Sequence, residues 1–475
     1  MNQLMWLRTD LRVSDNTALY AAMSAGPTIA LYLITPQQCL THDDAPCKVD
    51  FWLRNLAELS VRLADLNVPL LIRTVADWPA VPAVIAELCR AHEITTLHIN
   101  DEYGVNEQRR DAAVGDVLQS TPTSMRRYLD QLLFAPGTIT TLSGGYFKVF
   151  SQFRKLCYQR LSHSLPPCLP VPPRQASQLI RSDKVPERIE EFVQPTEHLR
   201  AFWPAGEEVA RTRLARFAEE DMADYQVLRD IPAEPGTSQI SAYLAAGVVS
   251  PRQCLHSALR ANQGELDSGN PGAVTWINEL LWREFYKHIL VGYPRVSMGR
   301  AFRHETDALP WRHAPDELAA WQEGRTGFPI IDAAMRQLLA TGWMHNRLRM
   351  LVAMFLSKNL LIDWREGERW FMQHLIDGDL SANNGGWQWS ASTGTDSVPY
   401  FRLFNPITQS AKFDPDGRFL KHWLPELSGL DKRSIHDPSK LTGLFAPVDY
   451  PPRIIDLAQS RERALSAFRQ LGEAP

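Results

Sequence analysis

The chain has 475 residues, of which 44% are hydrophobic, and its formal net charge is −4 at pH 7. This length is enough for two or three domains with large cores, and the small net charge excludes a uniformly basic surface for nucleic acid. The six cysteines show no CxxC or Cys/His clustering, and no apolar run resembles a signal peptide or a membrane span. We therefore expect a cytoplasmic protein with reduced thiols, no bound metal and no membrane association.

Residues 1–130 alternate short β-rich runs with amphipathic helices. The predicted strands are LMWL, PTIALYLI, VPLLIRTV, TTLHIN and SMRRYL, and the predicted helices are Lys48–Leu66, Val81–His92 and Asn106–Leu118. This alternation predicts βαβ units and a doubly wound, mostly parallel sheet. Neither the GxGxxG fingerprint nor a P-loop is present, so a dinucleotide at the usual place in such a sheet is disfavoured.

Two further regions follow this α/β domain. Residues 131–200 are predicted to form an irregular interdomain connection, because prolines are frequent between 164 and 197 and regular apolar repeats are few. From 201 to 475 apolar residues recur with helical spacing, which predicts a large all-α domain. Nine of the 14 tryptophans fall between residues 276 and 389, an excess that a large aromatic core would also explain.

The segment PGTSQIS (235–241) places hydroxyl side chains just before a predicted helix. Such residues can hold a phosphate through backbone N–H groups at the start of a helix. They more often cap the helix, and capping is favoured on preference alone.

Two predicted helices carry polar residues among apolar ones. In WINELLWREFY (276–286), Trp276, Glu279, Trp282 and Arg283 share neighbouring helix faces, although Glu279 and Arg283 could form an ordinary i,i+4 ion pair. TGWMHNRLRM (341–350) contains the start of a predicted helix. Asn346 and Met350 are spaced i and i+4 there, so the amide and the thioether share one helix face.

The segment DGDLSANNGGWQW (377–389) begins like a calcium loop, but Ala382 and Gln388 occupy the positions of the required glycine and glutamate, which excludes calcium. The Asn-Asn-Gly-Gly run (383–386) predicts a tight turn at which a planar ligand approaches the backbone. A solvated acidic loop is the alternative for Asp377 and Asp379.

The motifs TGWMHNRLRM, DWREGE, DGDLSANNGGWQW and YFRLFNP stand in an order and spacing that resemble the photolyase and cryptochrome flavoproteins. The resemblance extends from LRTDLRVSDNTAL to beyond Gln409. WREFY and NRLRM resemble the bacterial class I enzymes that act on cyclobutane pyrimidine dimers. The resemblance implies an FAD held in the helical domain, which, when reduced, passes an electron under light to a lesion flipped out of DNA.

The resemblance also implies roles for individual residues. The FAD contacts would be Tyr225, Thr237, Ser238, Ile240, Ser241, Trp276, Arg283, Arg349, Asp377, Asp379 and Asn383. The lesion and DNA contacts would be Arg229, Glu279, Trp282, Asn346, Arg347, Met350, Trp389, Arg402 and Gln409. Catalysis would involve Glu279, Asn346 and Asn383, the last beside the flavin N5, with Arg349 paired to Asp377. We expect Glu279 to donate as a neutral acid, because burial against indoles raises the pKa of a carboxyl.

Trp387, Trp364 and Trp311 resemble the relay that returns electrons to such flavins, whereas Trp321, Trp343 and Trp370 are interpreted as core residues.

In the sheet domain, His42, Asn106 and Glu107 align with residues that bind 5,10-methenyltetrahydrofolate as an antenna. Met298 stands where folate-binding relatives carry lysine, a departure that predicts weaker binding of that antenna. We expect a monomer without an obligate protein partner that binds damaged single- or double-stranded DNA.

The alternative function is that of a cryptochrome-like photoreceptor without repair activity. It is disfavoured because no long polar tail follows Gln409. A dinucleotide-dependent oxidoreductase is disfavoured because the GxGxxG fingerprint is missing.

Overall fold

The computed structural model describes residues 1–441 and 449–472. The chain forms two compact units. The first unit comprises Met1–Ala223, Ser238–Pro294 and Ile376–Asp379, and the second comprises Asp224–Thr237, Arg295–Leu375 and Leu380–Pro475.

Among the described residues, all strands lie in the first unit and helices occur in both. The strands are β1 Asn2–Leu7, β2 Thr28–Ile34, β3 Leu70–Thr74, β4 Ile94–Asn100 and β5 Ser124–Tyr128. The helices are α1 Thr17–Ala25, α2 Pro36–Thr41, α3 Pro46–Asp65, α4 Val81–Ala91, α5 Val105–Leu118, α6 Phe150–His163, α7 Glu197–Phe202, α8 Glu207–Arg216, α9 Tyr225–Leu228, α10 Ser241–Ala245, α11 Pro251–Ala261, α12 Pro271–Gly292, α13 Pro315–Gln322, α14 Pro329–Thr341, α15 Asn346–Met354, α16 Trp364–Met372, α17 Leu380–Ala391, α18 Pro406–Phe413, α19 Arg418–Trp423 and α20 Leu457–Gly472. All five predicted strands and the three predicted helices of residues 1–130 are confirmed, whereas α1, α2 and α6 were not predicted.

The sheet of the first unit has the order β3-β2-β1-β4-β5 and every neighbouring pair is parallel. The order reverses at β1, which pairs with β2 on one side and β4 on the other, as Met5 does with Ala30 and His98. The predicted doubly wound fold is confirmed. Its apolar core includes Leu4, Ile29 and Leu97 and continues into α4 and α5.

The irregular connection predicted for residues 131–200 is wrong in part, because α6 occupies Phe150–His163 and α7 begins at Glu197. From residue 164 to 196 the connection has no helix or strand, in agreement with its proline content. It runs beside β3, the edge strand of the sheet. Asp183 donates its backbone N–H to Leu70 O at 2.8 Å and accepts from Ile72 N at 2.8 Å, while Ser182 Oγ accepts from Leu70 N at 3.0 Å. The connection therefore satisfies backbone groups that an open edge would leave available for pairing with another chain.

A buried network of four charges joins the sheet of the first unit to α11. Arg12 Nη2 lies 2.6 Å from Asp130 Oδ2, and Arg252 contacts both Asp130 Oδ1 at 2.9 Å and Asp15 Oδ2 at 3.0 Å. Burial alone would raise the pKa of the Asp130 carboxyl, yet the two guanidiniums hold it below its usual range. The segments that follow β1 and β5 are thus fixed to one helix by matched charges.

The core of the second unit is built around Trp321, Trp364 and Trp387, all nearly inaccessible to solvent. Helices α14 to α17 and α19 pack on this cluster, and α15 ends in a π-helical turn, Phe355–Asn359. Gly367 of α16 lies so close to the Trp387 indole that a Cβ at this position would overlap the ring.

The tight turn predicted for residues 383–386 is wrong, because α17 runs through this segment from Leu380 to Ala391. Trp387 and Asn384 are both buried on this helix. Their packing outweighs the low helix propensity of two adjacent glycines, which is about 1 kcal/mol per residue relative to alanine.

Across residues 1–441 and 449–472, no helix combines the length and apolarity needed to cross a bilayer. Within the same described part, no group of three or more His, Cys, Asp and Glu side chains is arranged to hold a metal ion.

We expect Asp130→Asn to destabilise the protein by about 3–5 kcal/mol, because it leaves two buried guanidiniums with too little negative charge. Urea unfolding followed by circular dichroism measures the change. Glu187→Gln is the control, since the Glu187 carboxylate forms an exposed ion pair with Lys184, for which we expect less than about 1 kcal/mol. Equal losses of stability in the two variants would contradict the prediction.

Candidate functional site

Helix α12 carries the candidate residues of the WINELLWREFY motif in the first unit. Asn270 caps it by accepting from Gly272 N at 2.8 Å and Ala273 N at 3.1 Å, and proline occupies the first helical position. Both features favour a helix start. The helix therefore has a defined beginning at Pro271, five residues before Trp276.

Trp282 is half-buried and stacks on Phe150 of α6, with ring centroids 3.7 Å apart and an interplanar angle of 12°. Phe285 and Tyr286 surround the same indole at 5.7 and 5.6 Å. One face of Trp282 is thus covered by the Phe150 ring, so an apolar ligand can use only its other face or its edges. Sequence reasoning missed Phe150, because α6 was not predicted.

Three polar side chains of α12 hold the backbone of residues 131–134. Arg283 donates from Nη1 to Gln131 O at 2.6 Å, Glu284 Oε1 accepts from Leu133 N at 2.5 Å, and His288 Nε2 lies 3.2 Å from Phe134 O. Burial raises the pKa of Glu284 to about 7. These contacts fix the chain after β5 to the helix that carries Glu279 and Trp282.

The PGTSQIS segment precedes α10, as predicted, but it does not cap it. The N-cap residue is Ile240, and no side chain makes a capping hydrogen bond, so the interpretation as a cap is wrong. Ser238 Oγ instead accepts from Trp276 Nε1 at 3.4 Å, and the Trp276 ring contacts Phe217 at 5.5 Å. The structure thus brings together two predicted FAD contacts, Ser238 and Trp276.

Asp379 accepts a hydrogen bond from Lys287 Nζ of α12 at 2.6 Å, and Asp377 is buried. Lys287 was not among the residues predicted from sequence. It is buried on α12, and its partner lies far along the chain. The solvated acidic loop is therefore the wrong interpretation of Asp377, and Asp379 belongs to an ion pair within the first unit.

In the second unit, α15 begins at Asn346, at the motif that predicted it. His345 precedes the helix, and its Nδ1 accepts from Arg347 N at 3.2 Å. Burial lowers the pKa of His345 to about 4, so the imidazole is neutral at pH 7 and can accept. Arg349 donates from Nε to Met344 O at 2.8 Å.

Asn383 and Asn384 both contact Glu368 of α16. Asn383 Nδ2 donates to Glu368 O at 2.9 Å, and Asn384 Nδ2 donates to Glu368 Oε1 at 2.8 Å. Asn384 Oδ1 in turn accepts from Gln388 Nε2 at 2.9 Å. Burial raises the pKa of Glu368 to about 7, against the lowering effect of the Asn384 hydrogen bond.

The three tryptophans of the predicted relay pack in or against one core. Trp364 and Trp387 are buried and Trp311 is partly buried beside them. Their indole Nε1 atoms have no hydrogen-bond partner among the described residues, whereas Trp321 donates to Val352 O at 3.1 Å. The three indole nitrogens thus share the lack of a partner in the described part of the chain, but the ring faces are not uniformly apolar, because the Arg365 guanidinium lies 4.8 Å from the Trp364 ring.

Arg402 lies in a loop that a buried lysine anchors. Lys358 donates from Nζ to Arg402 O at 3.0 Å and to Pro399 O at 3.4 Å, and burial lowers its pKa to about 7. Phe401, next to Arg402, is 58% exposed. Gln409 lies on α18, and the Arg229 guanidinium stands 5.4 Å from the Tyr225 ring.

The three predicted antenna residues lie close together in the first unit. Asn106 Nδ2 is 3.1 Å from His42 Nε2, and the His42 ring meets Trp78 edge-on at 4.8 Å. Burial and the neighbouring Glu102 raise the pKa of Glu107, against a lowering effect of His42. In the second unit, Met298 is exposed and lines a cavity of about 530 Å³ together with Arg295, Arg300, His304 and Asp307.

Two family models match this chain. The model described as DNA photolyase matches residues 3–173, and the FAD binding domain of DNA photolyase matches residues 276–470. The deoxyribodipyrimidine photo-lyases of Salmonella typhimurium and Escherichia coli are 44% and 43% identical to it, over 98% of both chains in each case. The chain belongs to the photolyase/cryptochrome family.

Solved structures of the photolyase/cryptochrome family have the same fold. A class III photolyase from Agrobacterium tumefaciens is 32% identical, with a TM-score of 0.89 over 100% of this chain and 98% of its own. A cryptochrome from Synechocystis is 29% identical, with a TM-score of 0.86 over 98% of this chain and 99% of its own. The resemblance stated from the motifs is confirmed, and so is the prediction of FAD.

We expect Glu368→Gln to flatten the dependence of stability on pH. The folded carboxyl keeps its proton up to pH 7, whereas the unfolded one loses it near 4.3, so the stability of the wild type falls as pH rises between these values. Glutamine still accepts from Asn384 but cannot ionise. Melting temperatures at pH 5.5 and 8 measure the effect. Glu366→Gln is the control, since Glu366 lies on the same helix with a side chain that is 45% exposed. An unchanged pH dependence in Glu368→Gln would contradict the prediction.

Proposed function

We propose that the protein is a deoxyribodipyrimidine photo-lyase that repairs cyclobutane pyrimidine dimers in DNA in a light-driven reaction. The observation that carries this proposal is the identity of 43–44% over nearly the whole chain with enzymes of that name. FAD, when bound and reduced, supplies the electron after absorbing light. The residues of this chain bind the cofactor, hold the lesion and exclude water.

The FAD-binding residues are proposed from the resemblance. The proposed contacts are Tyr225, Thr237, Ser238, Ile240, Ser241, Trp276, Arg283, Arg349, Asp377, Asp379 and Asn383. Two observations fit a dinucleotide. The hydroxyls before α10 do not cap that helix, and Trp276 is held in place by Ser238 and Phe217. Hydroxyls suit a ligand's phosphates, and a fixed indole suits a ring.

The lesion-binding residues are of two chemical kinds. Trp282, Trp389 and Met350 would form apolar walls, and the stacking of Phe150 on Trp282 supports this role by fixing one wall. Asn346 and Arg347 would donate to the pyrimidine carbonyl oxygens, on which negative charge develops as the electron arrives. The proposed contacts to the DNA backbone are Arg229, Arg402 and Gln409.

The proposed assignment of regions places the antenna-binding part at 1–130, the connection at 131–200, and the FAD- and DNA-binding part at 201–475. The grouping of His42, Asn106 and Glu107 supports a folate such as 5,10-methenyltetrahydrofolate as antenna, since a carboxyl and an amide can bind a pterin. Met298 in place of lysine would weaken that binding. We further propose a cytoplasmic monomer without an obligate protein partner.

The function is tested with an oligonucleotide that contains one defined cyclobutane dimer, incubated with the reduced holoenzyme in light and in darkness. Repair in light only is expected. Repair in darkness, or none in light, would refute the proposal; the second result together with bound FAD would favour a cryptochrome-like photoreceptor.

In the same assay, we expect Glu279→Gln to lower the repair yield at least about tenfold, if this carboxyl donates a proton or a strong hydrogen bond to the reacting lesion. Glu220→Gln, a change on an exposed ion pair, is the control. An unchanged yield in Glu279→Gln would remove this residue from the mechanism.

Trp364→Phe is expected to abolish the long-lived tryptophan radical after flash excitation of the holoenzyme with oxidised FAD, because phenylalanine is far harder to oxidise than indole. Repair by enzyme reduced beforehand should be unchanged. Trp370→Phe, on the same helix, is the matched control. Transient absorption gives the comparison, and a radical of normal yield and lifetime in Trp364→Phe would exclude it from the relay.

A further inference from the structure

The segment after α9 places a carboxylate against a proposed lesion contact. Asp230 Oδ1 accepts from Arg347 Nη2 at 2.6 Å and from Arg347 Nε at 3.1 Å. Both residues are only partly exposed, at 32% and 19% of their side chains. All of these atoms lie in the second unit, although the two residues are 117 positions apart.

The other parts of the Arg347 guanidinium are also held. Its flat face lies 4.6 Å from the Phe413 ring, and Nη1 is 3.9 Å from Met350 Sδ. A guanidinium has two edges that can bind an oxyanion in bidentate fashion. Asp230 occupies the Nε–Nη2 edge, so Nη1, beside Met350, is the donor left toward the proposed lesion wall.

We propose that Asp230 is a positioning residue that determines specificity for the lesion over undamaged DNA. Asp230 orients the Arg347 side chain so that Nη1 can donate to the lesion. It also occupies the Nε–Nη2 edge, which backbone phosphates could otherwise bind. This inference rests on the proposed function, in which Arg347 contacts the lesion.

The charge balance explains why the ion pair discriminates. Undamaged duplex DNA offers mainly phosphates, and a phosphate must displace Asp230 to gain Arg347. A flipped lesion needs only a neutral-acceptor contact with Nη1, which leaves the ion pair intact. The Asp230–Arg347 ion pair therefore weakens binding to undamaged DNA but not binding to the lesion. Specificity is the difference between these two affinities.

The same segment supplies a matched control. Glu234 forms an ion pair with Arg418, a more exposed arginine that is not among the proposed DNA contacts. Asp230→Asn and Glu234→Gln each remove one negative charge from residues 229–234. A general effect of net charge on DNA affinity would therefore appear in both variants. Asp230 Oδ1 also lies 4.0 Å from Nε of Arg229, a proposed contact to the DNA backbone. Asp230→Asn is therefore compared in the Arg229→Ala background as well, where an effect through Arg347 persists and an effect through Arg229 does not.

The experiment measures dissociation constants in darkness for two duplexes, one undamaged and one with a single cyclobutane dimer, at salt concentrations between about 50 and 200 mM. The holoenzyme is used, with FAD content checked by absorbance. For Asp230→Asn we expect about five- to tenfold tighter binding to undamaged DNA and a salt slope steeper by about one phosphate contact. Lesion affinity should rise less than twofold, so the ratio of the two affinities falls; Glu234→Gln should keep the ratio.

Two results would overturn the inference. One is an unchanged ratio and salt slope in Asp230→Asn, and the other is an equal change in Glu234→Gln. Asp230→Ser, which removes the charge with a smaller side chain, serves if Asp230→Asn fails to fold. Arg347→Ala separates the levels of failure: weakened lesion binding in this variant, with no effect of Asp230→Asn, refutes only the role of Asp230, whereas unaffected lesion binding removes Arg347 from the proposed site as well.

Discussion

The first unit depends on a single constraint, the burial of two aspartates and two arginines where the sheet meets α11. Arg12 and Asp15 follow β1, Asp130 follows β5, and Arg252 belongs to α11. Because a buried charge is costly unless its partner is in place, the ends of two strands and one helix can adopt essentially one arrangement. Residues 131–134 then continue directly from Asp130 to their contacts with Arg283, Glu284 and His288 on α12. The position of the candidate residues on α12 relative to the sheet is therefore a consequence of charge pairing as much as of apolar packing.

In the second unit, ionisable groups with shifted pKa values lie next to the candidate residues. Glu368 holds Asn383 and Asn384, and Lys358 holds the loop that carries Arg402. Lys358 is buried and Glu368 is partly buried, and desolvation moves the pKa of each to about 7. Groups with such shifted pKa values mark candidate functional sites, since burial of a charge does not by itself stabilise a fold.

The tryptophans illustrate the limit of burial as a guide to function. Trp321 and Trp364 are equally buried in one core, and Trp321 even contacts Trp387, with centroids 6.0 Å apart. They differ at the indole nitrogen, which donates to a carbonyl in Trp321 and has no partner among the described residues in Trp364. A core role and a redox role are compatible in the same side chain, so only measurements on single rings can separate them.

The sequence by itself determined the parallel sheet, the irregular stretch 164–196, α12 and α15, because these depend on periodicity and proline content that are local along the chain. It missed α6, which lies within the region predicted to be irregular. Its long motifs also indicated the family and the cofactor. Local patterns failed at α17, where two glycines predicted a turn and the packing of Trp387 and Asn384 imposed a helix. Only the tertiary structure paired Trp282 with Phe150, Asp379 with Lys287 and Arg347 with Asp230. Each of these pairs joins residues far apart in the chain, and no local periodicity encodes which distant side chain will complete a ring stack or neutralise a charge.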